Sequence, residues 1–193
     1  MRRVTYPLVI LIGAALLTSA CTNTEELRIS DNLRSETQMR ISSVEDFSTD
    51  FQFSPNPEAE QIEISTGPAA GVYSMNEILK GRTTQLMRSK FGSIDQSSEN
   101  SVSVSIESFE AQTDNEIMGN EGVHKVDMTV NIEVVRDDET FNRTIERSAE
   151  IAFTQTDEAM SPSVEIDDVD MNEFISQFIV GIDSFIDSNF GVD

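Results

Sequence analysis

The sequence predicts an α+β fold in which an antiparallel sheet of about four strands carries two amphipathic helices on one face. Three observations support this prediction: a capped amphipathic segment in the middle of the chain, a pair of alternating strands joined by a short polar turn, and a regular apolar stripe near the C-terminus. Elements of these kinds bury their apolar sides by packing helices against a sheet.

The middle segment is predicted to form a helix over residues 75–91. Ser74 and Glu77 have the spacing of a capping box, in which each side chain satisfies a backbone N–H group of the first turn. The apolar residues that share one helical face are Met75, Ile78, Leu79, Leu86, Met87 and Phe91. Gly92 follows this segment and is predicted to end the helix.

Three strands are predicted after this helix. Apolar residues alternate with serines in "SVSVSIES", and Phe109 breaks the alternation, which indicates a β-bulge near Ser108. The clearest strand is "KVDMTVNIEVV". The turn "RDDET" joins it to a strand with Phe141, Ile145, Ala149, Ile151 and Phe153 on one parity, and the two strands predict an antiparallel hairpin. The segments "TDNEIMGNEG" and "TDEAMSPS" are predicted loops.

Before the middle helix the signals are weaker. Residues 39–47 and 61–65 are predicted short strands, and the prolines of "FSPNPEAE" predict a loop between them.

The strongest helix signal lies near the C-terminus. Its apolar stripe consists of Met171, Phe174, Ile175, Phe178, Ile179, Ile182, Phe185 and Ile186. Asp170 with Glu173 is predicted to cap its start, and Asp167 and Asp168 suit the positive end of the helix dipole. A stripe of this regularity indicates core packing on the sheet. A partner groove or a second membrane contact is the alternative, but the polar side lacks Lys and Arg, which disfavours the membrane.

Residues 1–20 have the organisation of a secretory signal peptide. Arg2 and Arg3 precede the ten-residue apolar run Leu8–Leu17, and small residues follow it. The run is shorter than the ~20 apolar residues that a membrane span needs. The alternative is a buried N-terminal helix of a soluble domain.

Cys21 is the only cysteine, and "LTSAC" resembles the lipobox of bacterial lipoproteins, although Thr18 stands where that family more often has leucine. The resemblance implies that a diacylglyceryl group is attached to the Cys21 sulfur, that residues 1–20 are then removed, and that the new amino group is acylated. It also implies anchoring by acyl chains and, because Thr22 is not aspartate, an outer-membrane location. Residues 22–38 are polar and have no apolar periodicity, so they are predicted to form a flexible tether, with a short helix over residues 25–33 as the alternative. Ordinary secretory cleavage is the alternative, and it leaves a free thiol in an oxidising compartment.

The chain has 193 residues and a formal net charge of −22, which becomes −24 when Arg2 and Arg3 are removed with the signal peptide. The length of residues 39–193 suits one domain. The acidity excludes nucleic acid as a partner, because Lys and Arg must neutralise phosphates. The first interpretation of the acidity is that the net charge keeps the protein soluble. A docking surface for a basic partner or for calcium is the alternative.

No catalytic, cofactor or metal site is predicted. His124, the only histidine, precedes a predicted strand without a His or Cys partner, and it is interpreted as an ordinary surface residue. A calcium loop starting at Asp168 would use Asp170 and Asn172, but Glu173 replaces the required glycine and Ile179 replaces the final glutamate. Helix capping explains these acids better.

Taken together, the segments "LTSAC", "SMNEILKGRTTQLMRSKFG", "KVDMTVNIEVV", "TIERSAEIAF" and "MNEFISQFIVGIDSFI" resemble small periplasmic lipoproteins of the YajG type. This resemblance implies location and fold class. The function expected first is a non-enzymatic binding or envelope-assembly accessory domain, with a protein or lipid partner in the envelope. The alternatives are a lipid carrier with an apolar cavity and a hydrolase using two facing carboxylates.

Overall fold

The computed structural model describes residues 24–26, 48–65, 70–114, 121–156 and 163–190. The strands are β1 Thr24–Glu26, β2 Asp50–Ser54, β3 Ile62–Ser65, β4 Ala70–Tyr73, β5 Ser101–Asp114, β6 Glu121–Arg136, β7 Glu139–Thr156 and β8 Ser163–Ile166. The helices are α1 Met75–Phe91 and α2 Asp168–Phe190. The predicted α+β class with two helices is confirmed.

The predicted four-stranded antiparallel sheet is wrong in its strand number and in one pairing. The main sheet has five strands in the order β2-β5-β6-β7-β8, and β2 runs parallel to β5, with Asp50 opposite Ser101. Antiparallel pairing holds from β5 to β8. A parallel pair needs a long crossover, and the chain supplies it by passing through α1 between β2 and β5.

A second, small sheet contains β3 and β4 as an antiparallel pair, with β1 parallel to β4. The strand predicted at residues 61–65 is thereby confirmed as Ile62–Ser65. Of the predicted tether, the structure describes only Thr24–Glu26, which forms β1. β3 contacts β5 and β4 contacts β8, so the small sheet bridges two strands of the main sheet. We call the part of the domain where β3 meets β5 and β4 meets β8 the closed end.

The predicted hairpin and bulge are both confirmed. β6 and β7 pair along their full length up to a tight turn whose central residues, Asp137 and Asp138, have φ values of 51° and 64°. Positive φ at both positions is the geometry that two-residue hairpin turns require. The register of β5 against β6 shifts between Ile106 and Ser108, where the alternation of the sequence breaks.

The first helix, α1, has the predicted bounds, and both helices turn their predicted stripes toward the core, with Ile78, Ile179 and Phe185 half-buried. Ser74 Oγ accepts a hydrogen bond from Glu77 N at 3.3 Å, and α1 ends at Gly92, whose φ is 70°. At the start of α2 the cap is Asp167 rather than Asp170, because Asp167 Oδ1 accepts from the backbone N of Val169 at 2.8 Å and of residue 170 at 3.1 Å. The Asp170 carboxylate accepts instead from Ala152 N on β7.

The main sheet has two unlike faces. Even-numbered residues of β6, from Val126 to Val134, are buried, and α2 lies against β6 and β7 while α1 contacts α2 and β2. On the other face, β5 and β7 carry mainly serine, threonine, asparagine and glutamate side chains that are exposed or half-buried. One-sided burial is what the strict alternation of these strands predicts.

Three predictions lie outside the described residues: the signal peptide 1–20, lipidation of Cys21 and the strand at 39–47. In the part of the chain that the structure describes, no helix is long and apolar enough to cross a membrane.

Candidate functional site

A pocket of about 260 Å³ opens at the closed end, between β3 and the C-terminal half of β5. We call it the His124 pocket. Its described lining residues are Glu58, Gln61, Ile62, Glu63, Phe109, Ala111, Thr113 and His124. They come from β3 and the segment before it, from β5 beyond its bulge and from the start of β6. The pocket is therefore assembled from elements that are distant in sequence and that meet only where the small sheet bridges the large one.

His124 forms the inner wall of this pocket, and its interpretation as a surface residue is wrong. It lies within β6 on the same parity as Val126 and Met128, and it is 2% exposed. Thr113 stands directly opposite on β5, and its Oγ1 lies 3.0 Å from His124 Nδ1, within hydrogen-bonding distance. His124 Nε2 has no hydrogen-bond partner among the described residues.

Tyr73 is the second buried polar group at the closed end. It ends β4, is 3% exposed, and meets the imidazole of His124 edge-on, with ring centroids 5.8 Å apart and planes at 80°. Its hydroxyl also lacks a partner among the described residues. Most buried polar atoms in native proteins are hydrogen-bonded, so each of these two unpartnered atoms calls for an explanation.

Burial keeps both groups neutral. Desolvation lowers the pKa of His124 from 6.5 to about 4, because the imidazolium form loses its hydration in the closed end. Burial raises the pKa of Tyr73 well above its ordinary value of 10.0. At neutral pH the inner wall therefore carries the uncharged imidazole of His124, and the uncharged phenol of Tyr73 packs edge-on against that ring.

The mouth of the pocket is acidic. Glu58 and Glu63 line it with exposed side chains, and Gln61 lies between them in the sequence. No lysine or arginine is among the described lining residues. With His124 neutral, the charge of this lining comes from the two glutamates, so the electrostatic potential at the mouth favours cations.

The segment that carries Glu58 is held by two asparagines. Asn76 on α1 accepts from Asn56 N at 3.0 Å and donates to Asn56 O at 2.8 Å and to a Glu60 carboxylate oxygen at 2.8 Å. The Asn56 side chain accepts from Glu58 N and donates to the carbonyl of Glu107 in the bulge of β5. These bonds fix one rim of the pocket to α1 and β5.

A different buried polar cluster joins the two helices. Lys90 on α1 is 1% exposed, and its Nζ contacts Asp183 Oδ1 at 2.7 Å and the carboxylate of Asp187. A separate hydrogen bond from Arg82 to Asn172 Oδ1, at 3.0 Å, also links α1 to α2. Lys90 is fully paired, and its cluster lies within the interface between the helices, so its role is structural.

The acidic residues considered for calcium do not form a binding loop. Asp168, Asp170, Asn172, Glu173 and Ile179 all lie in the regular helix α2. The Asp170 carboxylate and the Asn172 side chain already bind Ala152 N and Arg82. Across the described ranges, no group of three or more His, Cys, Asp or Glu side chains could hold a metal ion.

The predicted site residue Cys21 lies outside the described residues, so its lipidation stays a prediction. Sequence reasoning missed Tyr73, Thr113 and the glutamates of the pocket mouth. One signal for His124 was present, because it continues the parity of Val126 and Met128 one step toward the N-terminus. The pocket forms where β3 meets β5, and of this contact the sequence carried only the weak strand signal at β3.

Comparisons with known proteins add little. No family model matches the chain, and no curated protein matches it. One solved structure that matches is the 1.65 Å structure of the hypothetical protein CT253 from Chlamydia trachomatis, with 7% sequence identity and a TM-score of 0.40. The match covers 72% of this chain and 96% of that one. A likeness at this level carries no argument about function.

The His124 pocket differs from two kinds of catalytic site. Among the described residues, the hydrogen-bonding neighbour of His124 is a threonine hydroxyl, whereas a carboxylate orients the histidine of a catalytic triad. Glu58 and Glu63 share the pocket, as a carboxylate-based hydrolase would require, but both are exposed. In such enzymes one carboxyl group acts as the acid and the other as the base because their environments differ. Glu58 and Glu63 are instead alike in being exposed.

Proposed function

We propose that this chain is a lipid-anchored envelope lipoprotein whose folded domain is a non-enzymatic binding or assembly-accessory module. The anchor is Cys21, at the outer membrane, as the lipobox-like sequence suggests. The observation that carries the binding role is the His124 pocket, an open concavity whose inner wall includes the buried His124 ring with its Nε2 unpartnered among the described residues. Pockets with a few convergent polar groups are typical binding sites.

The anchoring part is tested by fractionating cells that produce the wild-type chain or its Cys21→Ser variant. The wild type is expected in the membrane fraction, and the variant in the soluble fraction. A variant that has lost residues 1–20 and still stays with the membrane would contradict anchoring by acyl chains. Ser35→Thr, a conservative change outside the lipobox-like motif, is the control and is expected to leave the wild-type distribution unchanged.

The binding part is tested by crosslinking in cells. A photoreactive phenylalanine analogue is placed at Glu58, in the rim of the pocket, and in a second protein at Glu146, an exposed position of β7 outside the pocket. A product that forms from position 58 and not from position 146 supports binding at the closed end. Products only from position 146 would move the binding surface to the open face of the sheet.

The lipid carrier is the weaker candidate, because α2 packs closely on the sheet. At Gly181, in the middle of α2, an added Cβ would come within 2.5 Å of Ile145 Cδ1 on β7. Phe174, Phe178 and Ile182 in the same stripe are 0–1% exposed. Lipid recovered by the crosslinker at position 58, without a protein partner, would nevertheless favour the carrier.

A further inference from the structure

The two levels of the His124 pocket differ in their chemistry, and the difference limits what can bind. The inner level has the His124 ring, whose buried Nε2 has no hydrogen-bond partner among the described residues, and Thr113 Oγ1 lies within hydrogen-bonding distance of Nδ1. When Nδ1–H donates to Thr113 Oγ1, Nε2 becomes an acceptor, and it suits an N–H donor. The outer level has the two carboxylates of Glu58 and Glu63.

Other ligand classes fit this arrangement less well. An anion would meet two glutamates with no basic side chain among the described lining residues. A metal ion would need more donors than the described residues bring together. A lipid chain would meet Gln61, Thr113 and His124, whose polar groups an apolar chain cannot satisfy.

An organic ammonium ion satisfies both levels. Its N–H groups can bind the glutamate carboxylates by charge-assisted hydrogen bonds. Phe109, which lines the pocket, offers an aromatic ring to the cation. The pocket volume of about 260 Å³ is just below the range of about 300–1,000 Å³ that holds drug-sized ligands. The ligand is therefore small.

We propose that the His124 pocket binds a small organic ammonium compound, with its ammonium group at Glu58 and Glu63 and a second N–H donor at His124 Nε2. This inference rests on the proposed binding function and gives it a ligand class. The negative net charge of the chain would attract any cation weakly. The test must therefore separate binding in the pocket from attraction by the net charge.

The single histidine provides the readout. His124 is the only histidine in the chain, so the imidazole signals of the purified full-length protein, solubilised in a non-ionic detergent without a histidine tag, belong to one residue. Three four-carbon probes are titrated in NMR: 1,4-diaminobutane, 1,4-butanediol and succinate. Salt at about 0.3 M shortens the range of unspecific attraction to below about 8 Å.

The diamine is expected to shift the His124 signals saturably, and the diol and succinate are not. The double variant Glu58→Gln/Glu63→Gln should weaken diamine binding about tenfold, or about 1.4 kcal/mol. The matched control Glu146→Gln/Glu150→Gln removes two exposed carboxylates of β7 and the same charge. It should change the affinity less than about twofold, because charges beyond a Debye length are screened.

Three results would overturn the ammonium proposal. Equal weakening by both double variants would mean that the net charge attracts the diamine. A saturable shift with succinate or the diol but not the diamine would leave a binding pocket with another ligand class. If no probe shifts His124, the proposal fails, and the crosslinks from position 58 then decide separately whether the binding function survives.

Discussion

Lys90 and His124 are both polar and almost completely buried, with exposures of 1% and 2%, but their surroundings differ. The ammonium group of Lys90 is held by two aspartates of the neighbouring helix. The imidazole of His124 has one threonine partner and an unsatisfied Nε2 at a pocket wall. A satisfied buried charge is explained by the fold alone, whereas an unsatisfied polar atom beside an opening requires a second explanation.

Lys90 and His124 also differ in charge. Lys90 keeps two carboxylates within reach in the interface of α1 and α2, and breaking such a pair leaves buried charge uncompensated. His124 has no charged group in direct contact among the described residues, and desolvation makes it neutral at physiological pH. We therefore expect changes at the helix interface to act on stability, and changes at the closed end to act on binding and pH dependence.

The largest effect is expected where α2 meets the sheet. Phe178 is 0% exposed, and Phe178→Asp places a carboxylate in the apolar layer, which should cost more than about 4 kcal/mol and unfold the domain. Val180, two residues further, is 53% exposed, and Val180→Asp should cost less than about 1 kcal/mol. Urea unfolding compares them. An unchanged stability of the Phe178 variant would mean that the stripe serves a partner.

The next effect concerns the paired charge. Lys90→Met leaves Asp183 and Asp187 facing an apolar side chain, and it should lower the free energy of unfolding by about 3 kcal/mol. Lys80→Met removes an exposed lysine from the same helix and should change it by less than about 0.5 kcal/mol. Similar losses for both variants would show that charge balance on α1 matters rather than the buried pairing.

An intermediate effect depends on pH. The folded-state pKa of His124 is lowered to about 4, so its contribution to stability is fully present above the unfolded value of 6.5 and is lost as the pH falls toward 4. Between about pH 7.5 and pH 5 the wild type should therefore lose about 2 kcal/mol more than the His124→Leu variant. Parallel stability curves for the two proteins would contradict a buried neutral histidine.

The smallest effects come from two glycines of the helices. Gly81→Ala meets no atom within 4 Å and should stabilise the protein by about 0.5–1 kcal/mol through helix propensity. Gly181→Ala makes the same local gain but pushes on Ile145 at 2.5 Å, and it should destabilise by about 1 kcal/mol. Thermal unfolding of both variants measures the difference. A stabilising Gly181→Ala would mean that α2 packs loosely on β7.

Local patterns predicted the long elements well. The 3.6-residue period of α1 and α2 and the two-residue period of β6 are repeated several times, so one exception does not obscure them. The turn at Asp137 and Asp138 and the bulge beside Ile106 also left local signals. The residues that create the sequence period in these elements are the same residues that pack in the core.

The short strands and the pocket could not be predicted in the same way. β2, β4 and β8 have four or five residues each, and their pairing partners are chosen by tertiary structure. The parallel pairing of β2 with β5 joins residues about 50 positions apart. Because the His124 pocket exists only where β3 meets β5, its residues carry no shared local pattern.

The central claim is that His124 is a buried, neutral side chain at the wall of a binding pocket. The most direct measurement is an NMR titration of its imidazole in the full-length protein, where it is the only histidine. The account predicts that the ring keeps the chemical shifts of the neutral form from about pH 8 down to about pH 5, as a pKa of about 4 requires. A titration with its midpoint near 6.5 would place His124 in water and contradict the account.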